Sequence, residues 1–95
     1  MDKKSTPTIN DQIAQKREEL TQAQMTQTHA YSEYMKVMKA KAIVSEDDTE
    51  KIEKLDKLMF VHFTTYQHAL EDAKKLEVEL SDLEAQKYLE DILGE

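Results

Sequence analysis

The chain has 95 residues, 35% of them Asp, Glu, Lys or Arg, and a formal net charge of −7. That length makes one domain at most, and the acidic balance disfavours binding to phosphate backbones or anionic lipid. Cysteine is absent, which excludes disulfides and thiolate metal sites and suits a reducing compartment.

The composition is that of an all-α protein. Its one Gly (Gly94) and one Pro (Pro7) stand at the ends. The turn residues that a β domain needs at regular intervals are missing. Residues 1–8 (MDKKSTPT) have no apolar run behind their charges and do not read as a secretory signal. No stretch approaches the roughly 20 apolar residues of a membrane span. A cytoplasmic protein with no membrane contact is the expectation.

Residues 1–7 read as a flexible N-terminus. The first helix is expected over about 8–43. Thr6 with Pro7 fits an N-cap followed by Pro at the first helical position, and Thr8 with Asp11 is an alternative start that resembles a capping box. Ile9, Ile13, Leu20, Ala23, Ala30, Tyr34 and Val37 recur three, four or multiples apart, which is one helical stripe. Lys16 and Gln27 fall on it, so the stripe is only moderately apolar, and Met25, Tyr31, Met35 and Met38 widen it on one flank.

A turn is expected over 44–49. Ser45, Asp47, Asp48 and Thr49 all suit an N-cap, and the acidic run favours the positive end of a following helix. No Gly stands at the preceding C-cap. The rival is one unbroken helix, but continuing the first stripe places Lys41, Ser45 and Asp48 on its seam.

The second helix is expected over about 49–93. Ile52, Leu55, Met59, His62, Tyr66, Ala69, Ala73, Leu76, Leu80 and Leu83 alternate three and four apart, a coiled-coil seam. After Leu83 the phase is expected to shift, with Tyr88, Leu89, Ile92 and Leu93 resuming an apolar face at another angle. The predicted fold is therefore two long antiparallel helices in a coiled-coil hairpin, dimerising into a four-helix bundle.

Two stretches of thirteen residues carry no charge, Leu20–Ser32 and Leu58–Leu70. Folding about position 46 or 47 sets Leu20 opposite Ala73 and Ser32 opposite Val61, so the stretches overlap as one belt. Lys16 and Arg17 then approach the acids around Glu77 and Glu79. Leu58–Phe63 covers every face of its helix at about 100° per residue, more than one partner helix can hide. Tyr31, Met35, Met59, Phe60, Phe63, Tyr66 and Leu70 are the candidate interaction residues, because aromatics and Met dominate interface cores.

Residues that carry chemistry are sparse. His29, His62 and His68 lack the spacing of a metal site, and the pairing of Glu and His used by di-iron bundles is absent. The acids about Asp47 and Asp48 have no central Gly and no calcium-loop spacing. Glu50 and Lys54, Glu53 and Lys57, and Glu71 and Lys75 are spaced as helix-surface ion pairs. No phosphate-cradling loop is present. No catalytic residue, metal or cofactor is expected.

In length and in its mid-chain turn the chain resembles the helical-hairpin secretion substrates that carry Trp-x-Gly at the turn. Here the turn reads Val44-Ser45-Glu46-Asp47 and Trp is absent. The resemblance is one of architecture, and no function is carried over from it.

The leading functional expectation is a small acidic, non-enzymatic protein–protein interaction module. It would be a homodimeric adaptor, assembly chaperone or inhibitor of a larger protein, of a size that suits a bacteriophage or mobile element. A second reading is an acidic mimic of nucleic acid, with Glu77, Glu79, Asp82 and Glu84 entering a basic groove. A third is a phage scaffold or structural coiled coil.

Overall fold

A computed structural model of the protein describes residues 7–94. Apart from Pro7, the tail expected over residues 1–7 lies outside them. Two helices account for the fold, α1 (Ile9–Ala42) and α2 (Thr49–Leu93). They fold back on one another as a hairpin measuring 70 × 32 × 13 Å. At 1.5 Å per residue α2 alone spans about 67 Å, so the long dimension is one helix and the short one is a single helix layer. The unbroken rod is excluded.

Local chemistry sets where each helix begins. The alternative start of α1 is the one observed. The Thr8 hydroxyl accepts the Asp11 backbone N–H at 3.1 Å, and the Asp11 carboxylate accepts the Thr8 N–H at 3.3 Å. This reciprocal box satisfies two helix-end donors, an advantage the Thr6–Pro7 start lacks, and it leaves Pro7 outside the helix. Of the four candidate caps for α2, Asp48 is used, its carboxylate accepting the Lys51 N–H at 3.3 Å. The Ser45 hydroxyl is engaged elsewhere, accepting the Asp47 N–H at 3.3 Å, while the Ser45 carbonyl accepts the Asp48 N–H at 3.0 Å.

The missing C-cap glycine is not needed. Ile43 ends α1 at φ −101°, and Ile43 and Val44 donate their N–H groups to the Ala40 and Lys41 carbonyls. Gly94 alone has a positive φ among the described residues, capping α2 at φ 73°. Removal of the α2 cap in Asp48→Ala is expected to lower stability by about 1 kcal/mol, read as an earlier urea midpoint with helix content kept at neutral pH.

The seam follows the predicted heptads closely. On α1 the residues shielded from solvent recur at Ile9, Ile13, Lys16, Leu20, Ala23, Gln27, Ala30, Tyr34 and Val37. On α2 the shielded positions run from Ile52 through Leu83 in the same alternation. Among the described residues four are buried, Ile13, Ala30, Ala69 and Ala73. Three of the four are alanines, so the seam excludes little volume.

Two expectations are corrected. The register is the first. Lys16 meets Glu79, Tyr31 meets Tyr66, Tyr34 meets Phe63 and Lys41 meets Asp56. These pairs centre the fold near Asp48, later than position 46 or 47. Leu20 therefore comes level with Leu76 instead of Ala73, and Ser32 with Thr64 instead of Val61. The uncharged stretches overlap only over Thr26–Ser32 and Thr64–Leu70, about half of each. Meshing of the two seams and the length of the turn set this alignment, and neither is a local property.

The second concerns the end of α2. The seam does not change phase after Leu83. It continues through half-shielded Lys87 and Glu90, and Tyr88, Leu89, Ile92 and Leu93 are each more than half exposed.

Candidate functional site

The two helices of the hairpin have unlike flanks on either side of the seam. One flank is polar, lined by Glu19, Thr26, Thr65, Asp72 and Glu79 around an open groove. The other flank is apolar at mid-hairpin. Tyr31 and Met38 on α1 and Phe63 and Leu70 on α2 border the seam there, and Met35 and Phe60 lie one row further out.

Heptad spacing sets these positions, and ring packing joins them across the helices. Tyr31 and Tyr66 have centroids 5.7 Å apart, Tyr34 and Phe63 5.7 Å, and Phe63 and Tyr66 6.4 Å. Such separations suit tilted and offset aromatic pairs. Four of the six aromatic side chains of the protein thus form one cluster. Its outer edge is uncovered, with Phe60 71% exposed, Tyr31 51% and Phe63 41%.

The structure brings most of the predicted interaction residues together on this flank: Tyr31, Met35, Phe60, Phe63, Tyr66 and Leu70. Met59 stands apart, half-shielded on the seam itself. Tyr34 was read from the sequence as a seam residue only, yet its ring supports Phe63. Its place directly beside Tyr31 in an aromatic-rich stretch was the available signal. Met25 does not widen the same flank, because it sits exposed on the outer face of α1 beside Thr28 and His29.

The predicted acidic residues are not equivalent. Glu79 accepts a hydrogen bond from Lys16 Nζ at 2.8 Å, and Glu84 pairs with Arg17 at 3.0 Å. Lys16 and Arg17 thus meet the acidic part of α2 as expected, at Glu79 and Glu84. Glu77 and Asp82 take part in no ion pair among those of the described residues and are exposed. Among the described residues none of the helix-surface pairs expected at Glu50, Glu53 and Glu71 forms; the local ion pairs are Lys16 with Glu19, Glu33 with Lys36, the cap Asp48 with Lys51, and Lys87 with Asp91. Such exposed pairs each contribute little.

The hydrogen bond from Lys16 holds the Glu79 carboxyl below its ordinary value of 4.5 and, acting on the other partner, raises the Lys16 ammonium above 10.5. A depressed carboxylate stabilises the fold at pH above its unfolded value and loses that contribution as pH falls through the folded one. A raised ammonium stabilises below 10.5 and loses its contribution as pH rises through the folded value. The urea midpoint is therefore expected to fall slightly at both extremes. Glu79→Gln should lower it modestly at neutral pH and leave it unchanged well below pH 4.5.

His62 is half-shielded on the seam, while His29 and His68 are exposed. Glu33 lies near His29 and His62, and its carboxyl is held below the ordinary range chiefly by the hydrogen bond from Lys36, 2.9 Å long. Among the described residues no three His, Asp or Glu side chains gather as a metal site. No helix among them is long and apolar enough to cross a membrane. No protein-family model matches the chain, and neither a curated protein nor a solved structure proved similar to it.

Proposed function

We propose that the protein is a non-enzymatic interaction module that self-associates through its aromatic flank into a four-helix bundle, and that this dimer acts as an adaptor, assembly chaperone or inhibitor of a larger protein. The observation that carries the reading is the uncovered cluster of Tyr31, Phe60 and Phe63 beside Tyr34 and Tyr66. A second copy is the occupant favoured by area. The chain exposes 7266 Å², whereas a compact monomer of this mass exposes about 5,700 Å². The excess, about 1,600 Å², is twice what each partner of a standard interface buries. A two-fold pairing of apolar flanks recovers much of it and gives the hairpin the core it lacks.

The acidic-mimic reading has weaker support, because Lys16 and Arg17 already engage two of its four carboxylates. Sedimentation equilibrium tests the proposal. A discrete dimer at micromolar concentration is expected. A monomer over the whole range would overturn the self-association, and an open series of larger assemblies would favour a scaffold.

A further inference from the structure

A second apolar surface lies outside the hairpin, well away from the aromatic flank. Val78, Ala85, Leu89 and Ile92 follow one another at intervals of seven, four and three along the outer face of α2, which places them in one row on a helix. Tyr88 borders the row. Val78 is 61% exposed, Leu89 54%, Ile92 58% and Tyr88 65%. The row is turned away from α1 and lies about a quarter of a turn round the helix from Phe60 and Phe63.

Two features show that this surface is not surplus core. At the same end, the seam spends its positions on Lys87 and Glu90, so apolar residues stand outside where polar ones stand inside. Local rules broken in this way mark functional positions. The electrostatics are inverted as well. Residues 77–95 carry seven acidic groups and one basic group. Glu90 and Asp91 sit at the negative end of the α2 dipole, the last turn holds no basic residue, and Lys87, the one basic group of the segment, pairs with Asp91. Acids at a helix C-terminus are unfavourable, and a cation there is favourable.

We infer that this outer face of α2 docks a cationic amphipathic helix of a partner protein. Its Leu, Ile or Phe residues would cover Val78, Leu89 and Ile92. Its Lys or Arg residues would meet the exposed Asp82, compete with Lys87 for Asp91, and approach the end of the α2 dipole. Charge decides between occupants. A second copy docked here two-fold would bring acids against acids, and an anionic lipid surface would be repelled by the same groups. The site goes beyond self-association and does not depend on it.

Fluorescence anisotropy of the full chain with a labelled leucine–lysine peptide, its leucines on one helical face, tests the inference. The protein is expected to bind this peptide and to bind a lysine–serine peptide of equal charge at least about tenfold more weakly. Leu89→Ser with Ile92→Ser should weaken the leucine–lysine complex about tenfold, and Val78→Ser should act in the same direction. All three side chains are exposed, so helix content and urea midpoint should hold. Phe60→Asp should leave peptide binding unchanged, which separates this site from the dimer. Equal binding of both peptides, or undiminished binding by the Leu89 and Ile92 variant, would overturn the inference. So would loss of self-association in that variant, or binding of the wild type to phosphatidylglycerol vesicles.

Discussion

Phe60→Asp is expected to abolish the proposed self-association and leave the hairpin folded. Phe60 is 71% exposed and is absent from the ring pairs that join α1 to α2, so its loss removes little from the single chain. A buried aromatic at the centre of an interface is typically worth about 2 kcal/mol or more on truncation. An aspartate adds the cost of placing a charge against apolar groups. In a two-fold dimer each substitution acts twice, so the dissociation constant should rise roughly a thousandfold. The loss should persist at high salt, because the interaction removed is apolar. Sedimentation equilibrium at low and high ionic strength measures it, with far-UV circular dichroism showing the helices intact. Phe63→Asp should do more damage, since Phe63 also packs on Tyr34 and Tyr66, and its variant should lose hairpin stability together with the dimer. A fully dimeric Phe60→Asp protein would show that the aromatic flank is not the self-association surface.

Two neighbouring seam positions should respond in opposite directions to the same new residue. Ala30 is 2% exposed, the most buried side chain described, and the register sets it level with the bulky Tyr66. Ala30→Leu forces volume into a buried position already faced by an aromatic ring, and overpacking of this kind costs about 1 to 3 kcal/mol. With only four buried residues among those described, little else compensates. Gln27, one turn earlier on the same stripe, is only half-shielded and occupies a position that a coiled coil ordinarily gives to an apolar residue. Gln27→Leu, level with the small Ala69 across the seam, adds apolar burial at a half-shielded position and should stabilise by about 1 kcal/mol. Urea midpoints of the two variants, compared at equal protein concentration, test both. Stabilisation by Ala30→Leu would mean that the seam at Ala30 has room for a larger side chain.

Much of the architecture was legible in the residues because helix formation and seam spacing are local. The cap of α1 was among the starts weighed, and the rule that selects it is the reciprocal bond between Thr8 and Asp11. The heptads of α2 run from Ile52 to Leu83 as the spacing required. Of the aromatic flank, Phe60 and Phe63 were legible because an uncharged hexapeptide has more apolar faces than one neighbour can cover, and Tyr31 because aromatics and Met dominate interface cores. The contribution of Tyr34 was missed because its seam position seemed to account for it fully.

The residues by themselves determined that the chain makes two amphipathic helices with a break between them, since periodicity, capping chemistry and the want of glycine and proline act within a few residues of one another. Tertiary structure alone decided the register, which moves Ser32 from Val61 to Thr64 and halves the overlap of the uncharged stretches. It also decided which way the end of α2 turns its apolar side chains. The seam continues in phase through Lys87 and Glu90, and the helix is a rigid cylinder, so Leu89 and Ile92 must face outward however apolar they are. Those two outcomes depend on how one helix meshes with the other along its whole length, a property that no short window of sequence contains.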